Sequence, residues 1–306
     1  MEKRLFDNRE RLNKGSLSRK RITAGYLFIS PILLGMLIWL VFPMSFSLWL
    51  SGHEWDLISE PSFIGLGNFK EVLSDELFWQ SLKVTLYFSG VSVPLSLITA
   101  FLVALLLNIE IKGRSVFRAL YYLPSVIPVV ANCVLWVWIL NSEFGLLNFF
   151  LSKLGLSKVL WLQEPKWTMP ALIIMSLWGI GPLVVLYLAG LQGISRQLYE
   201  AAEIDGANWG NKFLFITIPM MSPVIFFNLI IGLINAFQTF TQAYIMTQGG
   251  PQNATLFYVF YLYQNAFQWM RMGYACALAW ILFATILICT LFIFRHFERL
   301  VYYAGT

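Results

Sequence analysis

The sequence predicts an all-α integral membrane protein with six transmembrane helices and both termini in the cytoplasm. Of its 306 residues, 58% are hydrophobic and 12% are charged, whereas a soluble domain is normally about 25% charged. Six apolar stretches reach the ~20 residues that a membrane-spanning helix needs, and none of them contains Asp, Glu, Lys or Arg. These stretches are 22–50, 84–108, 119–141, 167–191, 213–241 and 272–294.

The absence of charges supports the assignment of each stretch as a membrane span, because one charge at the centre of a bilayer costs about 2.5–3.5 kcal/mol on insertion. The first span is too long for the apolar region of a cleaved signal peptide, so we expect it to be retained. Prolines within the spans predict kinks, since each proline removes a helical hydrogen bond. They are Pro31, Pro43, Pro94, Pro124, Pro128, Pro182, Pro219 and Pro223.

The Lys and Arg residues predict the orientation of the chain. With six spans, fifteen of the 21 basic residues fall on the side that holds both termini, and six fall on the other side. Basic residues are in excess in cytoplasmic loops, so both termini are predicted to be cytoplasmic. The chain then divides into a cytoplasmic tail at 1–21, a transmembrane domain at 22–297 and a C-terminal tail at 298–306. The net charge of +5 reflects this topology and contact with membrane lipid, and no nucleic acid partner is predicted.

Two segments on the outer side have helical patterns of their own. Residues 63–79 predict a short amphipathic helix on the membrane surface. Residues 254–267 follow a turn at 247–253 and predict an interfacial or re-entrant helix. His53 and His296 lie at span boundaries, where we expect both to be solvated.

A polar segment interrupts the apolar sequence between the fourth and fifth spans. Ser195 is a suitable N-cap for a helix over 196–204, and Gly206 is placed to end that helix in a left-handed conformation. A second short helix is expected from about residue 208 into the fifth span. On physical grounds alone, this elbow (residues 195–217) is equally consistent with a knob that fits a groove on a soluble partner and with a solvated loop.

Neutral polar side chains occur along and just after the fifth span and mark a candidate substrate pathway. Four of them are spaced by seven, four and three residues, which places them on one helical face. Such groups can hydrogen-bond the hydroxyls of a neutral polyol, or they can bond neighbouring helices at about 0.6 kcal/mol per contact. The pathway candidates are Asn228, Asn235, Gln238, Thr239 and Gln242, with Asn132, Trp178 and Tyr244 as additional ones.

The sequence shows no energy source of its own. It has no Gly-x-x-x-x-Gly-Lys-Ser/Thr loop for nucleotide phosphates. An ion-coupled carrier usually needs an ionisable group within the membrane, but residues 213–270 form a run of 58 residues without a charge. We also find no Ser/His/Asp set, no paired-carboxylate site and no cluster of metal ligands, so neither a catalytic residue nor a metal site is predicted.

The stretch EAAEIDGANWGNKFLFITIP, residues 200–219, resembles the cytoplasmic signature loop of the membrane subunits of binding-protein-dependent ABC importers. That signature reads Glu-Ala-Ala, three residues, Gly, nine residues, Ile, one residue, Leu, Pro. The sequence matches it throughout except at Ile218, which replaces leucine. The stretches FIGLGNF, FRALYYLPSVIP, MTQGGP and GYACALAWILF are similar to the sugar-importing branch, in particular to the first permease of maltose-, lactose- or glycerol-phosphate-type systems.

The resemblance implies the type I permease fold of ABC importers and a role for each matching residue. The helix that begins the signature would be a coupling helix seated in a cleft of the ATPase subunit. Its acidic residues would make polar contacts there, and its small residues would allow a close fit. The coupling residues implied in this way are Glu200, Ala201, Ala202, Asp205 and Gly206.

The resemblance also implies partners and a substrate. The chain would pair with a second, different permease, two cytoplasmic ATPase subunits that bind ATP and Mg²⁺, and an extracytoplasmic solute-binding protein. It would hold no cofactor itself and would form the pathway for a sugar or oligosaccharide across the cytoplasmic membrane of a bacterium or archaeon. The alternatives are a permease for glycerol phosphate or another solute, a stand-alone channel or secondary carrier, and a membrane-embedded enzyme.

Overall fold

The computed structural model of the protein describes residues 21–109, 112–297 and 301–302. The predicted tails at 1–21 and 298–306 lie almost wholly outside these residues. The described chain is helical apart from one two-stranded hairpin and the connecting loops. The strands are β1 (His53–Glu54) and β2 (Ser62–Phe63), and the α-helices are α1 (Arg21–Ser51), α2 (Gly67–Ser74), α3 (Glu76–Asn108), α4 (Arg114–Val126), α5 (Val129–Ile139), α6 (Leu146–Lys153), α7 (Pro165–Trp178), α8 (Gly181–Gln192), α9 (Arg196–Ile204), α10 (Trp209–Phe237), α11 (Tyr258–Tyr263) and α12 (Met272–Phe297). A separate π-helical turn covers Ala243–Thr247, and another, Gln264–Gln268, continues α11.

Among the described residues, four helices are long and apolar enough to cross a membrane unbroken, namely α1, α3, α10 and α12. Two pairs, α4 with α5 and α7 with α8, reach that length only together, and they bend by 98° and 48°. Counting each bent pair as one span gives six, so the predicted all-α membrane architecture is confirmed. The kink predicted from the prolines of the third span, 119–141, is confirmed as a sharp break between α4 and α5.

Proline explains the break in the third span. Ile127 has an extended backbone with ψ 128° and directly precedes Pro128, the N-cap of α5. The ring of a proline disfavours the helical conformation of the residue before it, so helices usually end at that point. Pro124 lies inside α4 without ending it. The break therefore turns α4 away from the line of α5.

Two other prolines follow wider helical turns. The π-turns Leu37–Val41 and Phe213–Thr217 end two residues before Pro43 and Pro219. In each turn the next N–H donates to the carbonyl five residues back. The wider turn allows the helix to continue although the proline itself donates no hydrogen bond.

Helix α3 is the centre of the bundle. It packs against α7, α8, α10 and α11, and its Ala100 and Ala104 are fully buried. Small side chains let membrane helices approach closely, and such packing drives their association in lipid. Tyr187 from α8 is also fully buried, and its ring meets that of Phe101 edge-on at 5.3 Å. This packing positions the helices that line the cavity described below.

Helix α1 lies outside this bundle. None of its most apolar stretch is buried, and Trp39 is 82% exposed. Its main packing within the described chain is against α12. The free faces of α1 are therefore available to lipid or to another polypeptide.

The chain after α1 is fixed by buried polar contacts. Asn68 is buried and donates from Nδ2 to the carbonyl oxygen of His53 at 2.9 Å. A Cβ on Gly273 would lie 1.9 Å from that same oxygen, so only glycine permits this approach. The expected solvation of His53 is wrong, because the residue is 7% exposed, packs against the ring of Trp49 and pairs through Nδ1 with a carbonyl oxygen at 2.7 Å. His296 is exposed, as predicted.

The two predicted outer helices are present with shifted bounds. Within 63–79 the separate helix is α2, and residues 76–79 already belong to α3. Within 254–267 the helix is α11, which packs into the bundle because Tyr258 is fully buried. The N–H of Tyr258 donates to Thr85 at 2.9 Å, and its hydroxyl donates to the carbonyl of Leu278 at 2.8 Å.

Asp75 joins three elements at this end of the bundle. One carboxylate oxygen accepts hydroxyl hydrogen bonds from Tyr261 and Tyr274, and the other accepts the N–H of Leu77 at 2.9 Å and so caps α3. Burial acts to raise the pKa of the Asp75 carboxyl, but these hydrogen bonds outweigh it and hold the pKa below its usual value. The charged carboxylate therefore ties α3 to α11 and α12.

We expect the Asp75→Ala variant to be less stable by about 2 kcal/mol, because it removes a helix cap and leaves two part-buried hydroxyls without their acceptor. Since the folded-state pKa is lowered, this contribution is present above pH ~4 and is lost as the pH falls through the lowered pKa. Thermal unfolding of the purified protein in detergent measures it. The control variant Glu60→Ala, at an exposed position between β1 and β2, should keep wild-type stability, and equal loss in both variants would contradict the role of Asp75.

Candidate functional site

The elbow forms the helix–turn–helix that the sequence predicts. Helix α9 begins after Ser195, whose backbone is extended, although its side chain makes no capping hydrogen bond. At the other end, the N–H of Gly206 donates to the carbonyl of Glu203 at 3.0 Å, and the N–H of Ala207 donates to Ala202 at 2.8 Å. Gly206 has φ +80°, the left-handed conformation that closes this pair of bonds.

Asn208 starts the second helix of the elbow. Its Oδ1 accepts the N–H of Asn211 at 2.9 Å, which satisfies a backbone donor at the start of α10. Lys212 Nζ donates to Glu203 at 2.6 Å and links α9 to α10. An exposed ion pair of this kind contributes about 0–1 kcal/mol. The backbone bonds of the turn therefore fix the elbow more firmly than the ion pair does.

The elbow presents small and acidic residues together with two large apolar side chains. No residue of α9 is buried. Ile204 is 88% exposed and Trp209 is 74% exposed. Sequence reasoning missed both, although large apolar residues within a polar segment are a signal of contact with another surface. Of the predicted coupling residues, Ala202 is half-buried, and the exposed ones are Glu200, Ala201, Asp205 and Gly206.

A cavity of about 440 Å³ lies between α3, α5, α7, α8 and α10. Helix α10 ends at Phe237, so the four polar residues predicted on one helical face do not all belong to one helix. The chain bends after α10 and still brings the last two to the same cavity. The predicted pathway residues that line it are Asn132, Asn228, Asn235, Thr239 and Gln242.

Three other pathway candidates lie elsewhere in the described chain. Gln238 is exposed at the C-cap of α10, and it is not part of the cavity lining. Neither Trp178 nor Tyr244 belongs to that lining either. The ring of Trp178 packs edge-on against Trp136, and the ring of Tyr244 stacks on Phe240. The two aromatic candidates are therefore engaged in packing outside the cavity.

The cavity is polar but uncharged. None of the described residues that line it is ionisable. Two of its buried atoms, Nδ2 of Asn228 and Oδ1 of Asn132, have no hydrogen-bond partner within the described residues. A buried unpaired donor or acceptor costs about 1–3 kcal/mol, which a polar ligand or water can offset.

Serine hydroxyls add to this lining, and sequence reasoning missed them. Ser92 and Ser96 come from α3, and Ser176 comes from α7. Serines in membrane helices commonly bond to their own backbone, as Ser176 does with the carbonyl of Ile173 at 2.6 Å. The spacing of four residues between the two serines of α3 was the available signal, because it places both on one face.

Comparison with known proteins places the chain in a family. Residues 92–302 match the family described as the binding-protein-dependent transport system inner membrane component. The chain belongs to this family. It is 43% identical to the probable ABC transporter permease protein YesP of Bacillus subtilis, over 95% of this chain and 96% of that protein.

A further relative and a solved structure are consistent with this assignment to the permease family. The chain is 40% identical to the trehalose/maltose transport system permease protein MalF of Thermococcus litoralis, over 78% of this chain and 82% of that protein. A solved bacterial ABC transporter, described as importing the acidic polysaccharide alginate, contains a chain that is 28% identical, with a TM-score of 0.80 over 92% of this chain and 96% of that one. The chain is thus a multi-pass membrane protein with the fold of an ABC importer permease.

We expect the Gly206→Ala variant to loosen the elbow, because a left-handed residue with a Cβ costs about 1–2 kcal/mol. That cost corresponds to a roughly 5- to 30-fold loss of hydrogen-exchange protection at the amides that close the turn. Hydrogen exchange followed by mass spectrometry measures this loss in the purified protein. The control Gly210→Ala lies in a helical turn where a Cβ meets nothing closer than 3.4 Å, so equal loss in both variants would contradict the role of the left-handed turn.

Proposed function

We propose that this permease subunit forms the translocation pathway of an ATP-driven importer for a sugar or oligosaccharide, delivered by a separate binding protein. The observation that carries the proposal is the uncharged cavity, where a buried donor on Asn228 and a buried acceptor on Asn132 have no partner in the described chain. A sugar hydroxyl both donates and accepts, so it can pair with either group.

The lack of charge in the lining favours a neutral substrate. A phosphate ester is best bound by Arg or Lys, and the described lining contains neither, so glycerol phosphate suits this chain less well. Relatives are described as permeases for trehalose and maltose and for lactose. Another is described as part of an importer of acidic alginate. For this chain to carry an acidic substrate, another subunit would have to supply cationic groups, because the described lining has none.

The elbow is the proposed contact with the ATPase. Its small residues permit close approach, its turn is fixed by backbone bonds, and Ile204 and Trp209 offer apolar surface to a cleft on a soluble partner. The sequence has no nucleotide-binding loop. ATP and Mg²⁺ would therefore be bound by two separate ATPase subunits, and Glu200 and Asp205 would make polar contacts with them.

A second permease is proposed to complete the pathway. Ile231 and Asn235 line the cavity and are also exposed, so the cavity opens to the surface of this chain. The unburied faces of α1 give a further surface for such a partner. The proposed site of the complex is the cytoplasmic membrane of a bacterium or archaeon. Both termini and the elbow would face the cytoplasm, and the β1–β2 hairpin would face the binding protein.

We expect the Glu200→Lys variant to reach the membrane normally but to lower sugar uptake at least tenfold, because charge reversal disrupts the polar contact between elbow and ATPase. The measurement is ATP-driven uptake by the complex in vesicles, across a panel of neutral sugars and glycerol phosphate. The control Glu143→Lys reverses a charge on an exposed residue far from the elbow in sequence and should leave uptake unchanged. Wild-type uptake in Glu200→Lys, or a preparation that never contains an ATPase, would refute the proposal.

The cavity assignment predicts that substitutions of Asn235, in the last turn of α10, and of Gln238, its C-cap, differ in their effect on uptake. Asn235→Leu should lower sugar uptake about tenfold, since it replaces a polar wall of the cavity with an apolar one. Gln238→Leu makes a similar change at another exposed residue, outside the lining, and should keep uptake within about twofold of wild type. Both variants should retain sugar binding by the soluble binding protein. Equal uptake by the two variants would show that the cavity is not the pathway.

A further inference from the structure

Arg118 in α4 borders a second pocket, of about 190 Å³, between α4 and α8. The two helices are in close contact beside it, because a Cβ on Gly181 would lie 2.7 Å from the carbonyl oxygen of Tyr121. Most other lining residues are apolar or aromatic, including Tyr122 and Leu188. The pocket is therefore a product of helix packing, and it holds one cationic side chain.

Two of the three guanidinium nitrogens of the half-buried Arg118 lack partners. Its Nε and Nη2 atoms are buried, and neither has a hydrogen-bond partner in the part of the chain that the structure describes. Arginine remains protonated in proteins, so its charge cannot be removed by titration. A buried charge is normally paired. The site therefore calls for an anionic group from outside the described chain.

The pocket lies at the end of the bundle that carries the elbow. Its lining includes Leu188, Ala189 and Gln192, at the end of α8 and directly before the elbow begins. Lys112 and Arg114 add positive charge to the same segment as Arg118. This end is the cytoplasmic side in the proposed orientation.

Helix α4 combines this positive charge with unburied apolar residues. None of its residues is buried, and its exposed apolar side chains include Leu120 and Leu123. A helix with basic residues and a free apolar face is typical of contact with an anionic membrane surface. Tyrosines such as Tyr121 and Tyr122 are common at the level of lipid headgroups.

We propose that the pocket binds the phosphate group of an anionic phospholipid, with Arg118 as its anchor. The planar guanidinium presents a fork of N–H donors that matches two phosphate oxygens. The apolar face of α4 would contact the acyl chains. Only the choice of leaflet rests on the proposed function and its orientation. The bound lipid would hold α4 against the last turn of α8 and so fix the base of the elbow.

The test counts the lipids bound to the purified complex. Phosphatidylglycerol per copy of this chain is measured by mass spectrometry after gentle detergent extraction, in wild type, Arg118→Gln and Lys112→Gln. Lys112 is exposed on the same basic segment and does not line the pocket. Its variant therefore also removes one positive charge but leaves the pocket unchanged. Arg118→Gln should lose one phosphatidylglycerol per copy, and Lys112→Gln should retain it.

A third variant and a melting experiment complete the test. Val185→Trp fills the pocket while keeping the arginine, so it should lose the same lipid even if Arg118→Gln folds poorly. Added dioctanoyl-phosphatidylglycerol should raise the melting temperature of the delipidated complex. The matching phosphatidylcholine and inorganic phosphate should not, and the rise should be absent in Arg118→Gln.

Three outcomes would overturn the inference: equal lipid in all variants, a melting shift reproduced by inorganic phosphate, or loss of a neighbouring subunit from Arg118→Gln with its lipid retained. The last would assign the counter-charge to a carboxylate of that subunit. The number of lipids per copy of this chain can be measured whether or not other subunits purify with it. Absence of an ATPase would therefore refute the proposed function and leave this inference standing.

Discussion

The cost of placing charge in lipid governs the arrangement of this chain. Its spans are free of Asp, Glu, Lys and Arg, so the charged residues lie near the ends of the bundle. Asp75 ties three elements at one end, and the acidic residues of the elbow lie at the other. Polarity inside the bundle is left to amides and hydroxyls. Several of them line the cavity, where Asn132 and Asn228 each leave one buried polar atom without a partner in the described chain.

A second constraint acts on the backbone, because every peptide group in lipid needs a partner within the protein. Prolines remove donors, and the chain responds in different ways. A π-turn precedes Pro43 and another precedes Pro219, whereas Pro128 breaks the third span. Breaks in the helices also bring polar residues to the cavity. The one at Pro128 starts α5, which carries Asn132, and the one after Phe237 leads Gln242 back to the cavity.

Features set by local sequence were predictable, and those set by distant contacts were not. The six apolar stretches follow from composition. The bounds of α9 and the left-handed Gly206 follow from residues within one turn of the chain. The burial of His53 depends on Gly273 and Asn68, far away in sequence, and no local pattern indicates it. Helical spacing grouped Asn228, Asn235, Thr239 and Gln242, and all four line the cavity, although the end of α10 at Phe237 could not be read from that spacing.

The connections of the elbow have a mechanical consequence. Helix α9 is joined to α8 by residues 193–195 and to α10 by residues 205–208, and the hydroxyls of Tyr199 and Thr217 meet at 3.0 Å. Helices α8 and α10 both form walls of the cavity. A displacement of the elbow would therefore reach two walls of the cavity through connections of only three and four residues. If the elbow is the contact with an ATPase, as proposed, it would act as a lever on the space between those walls.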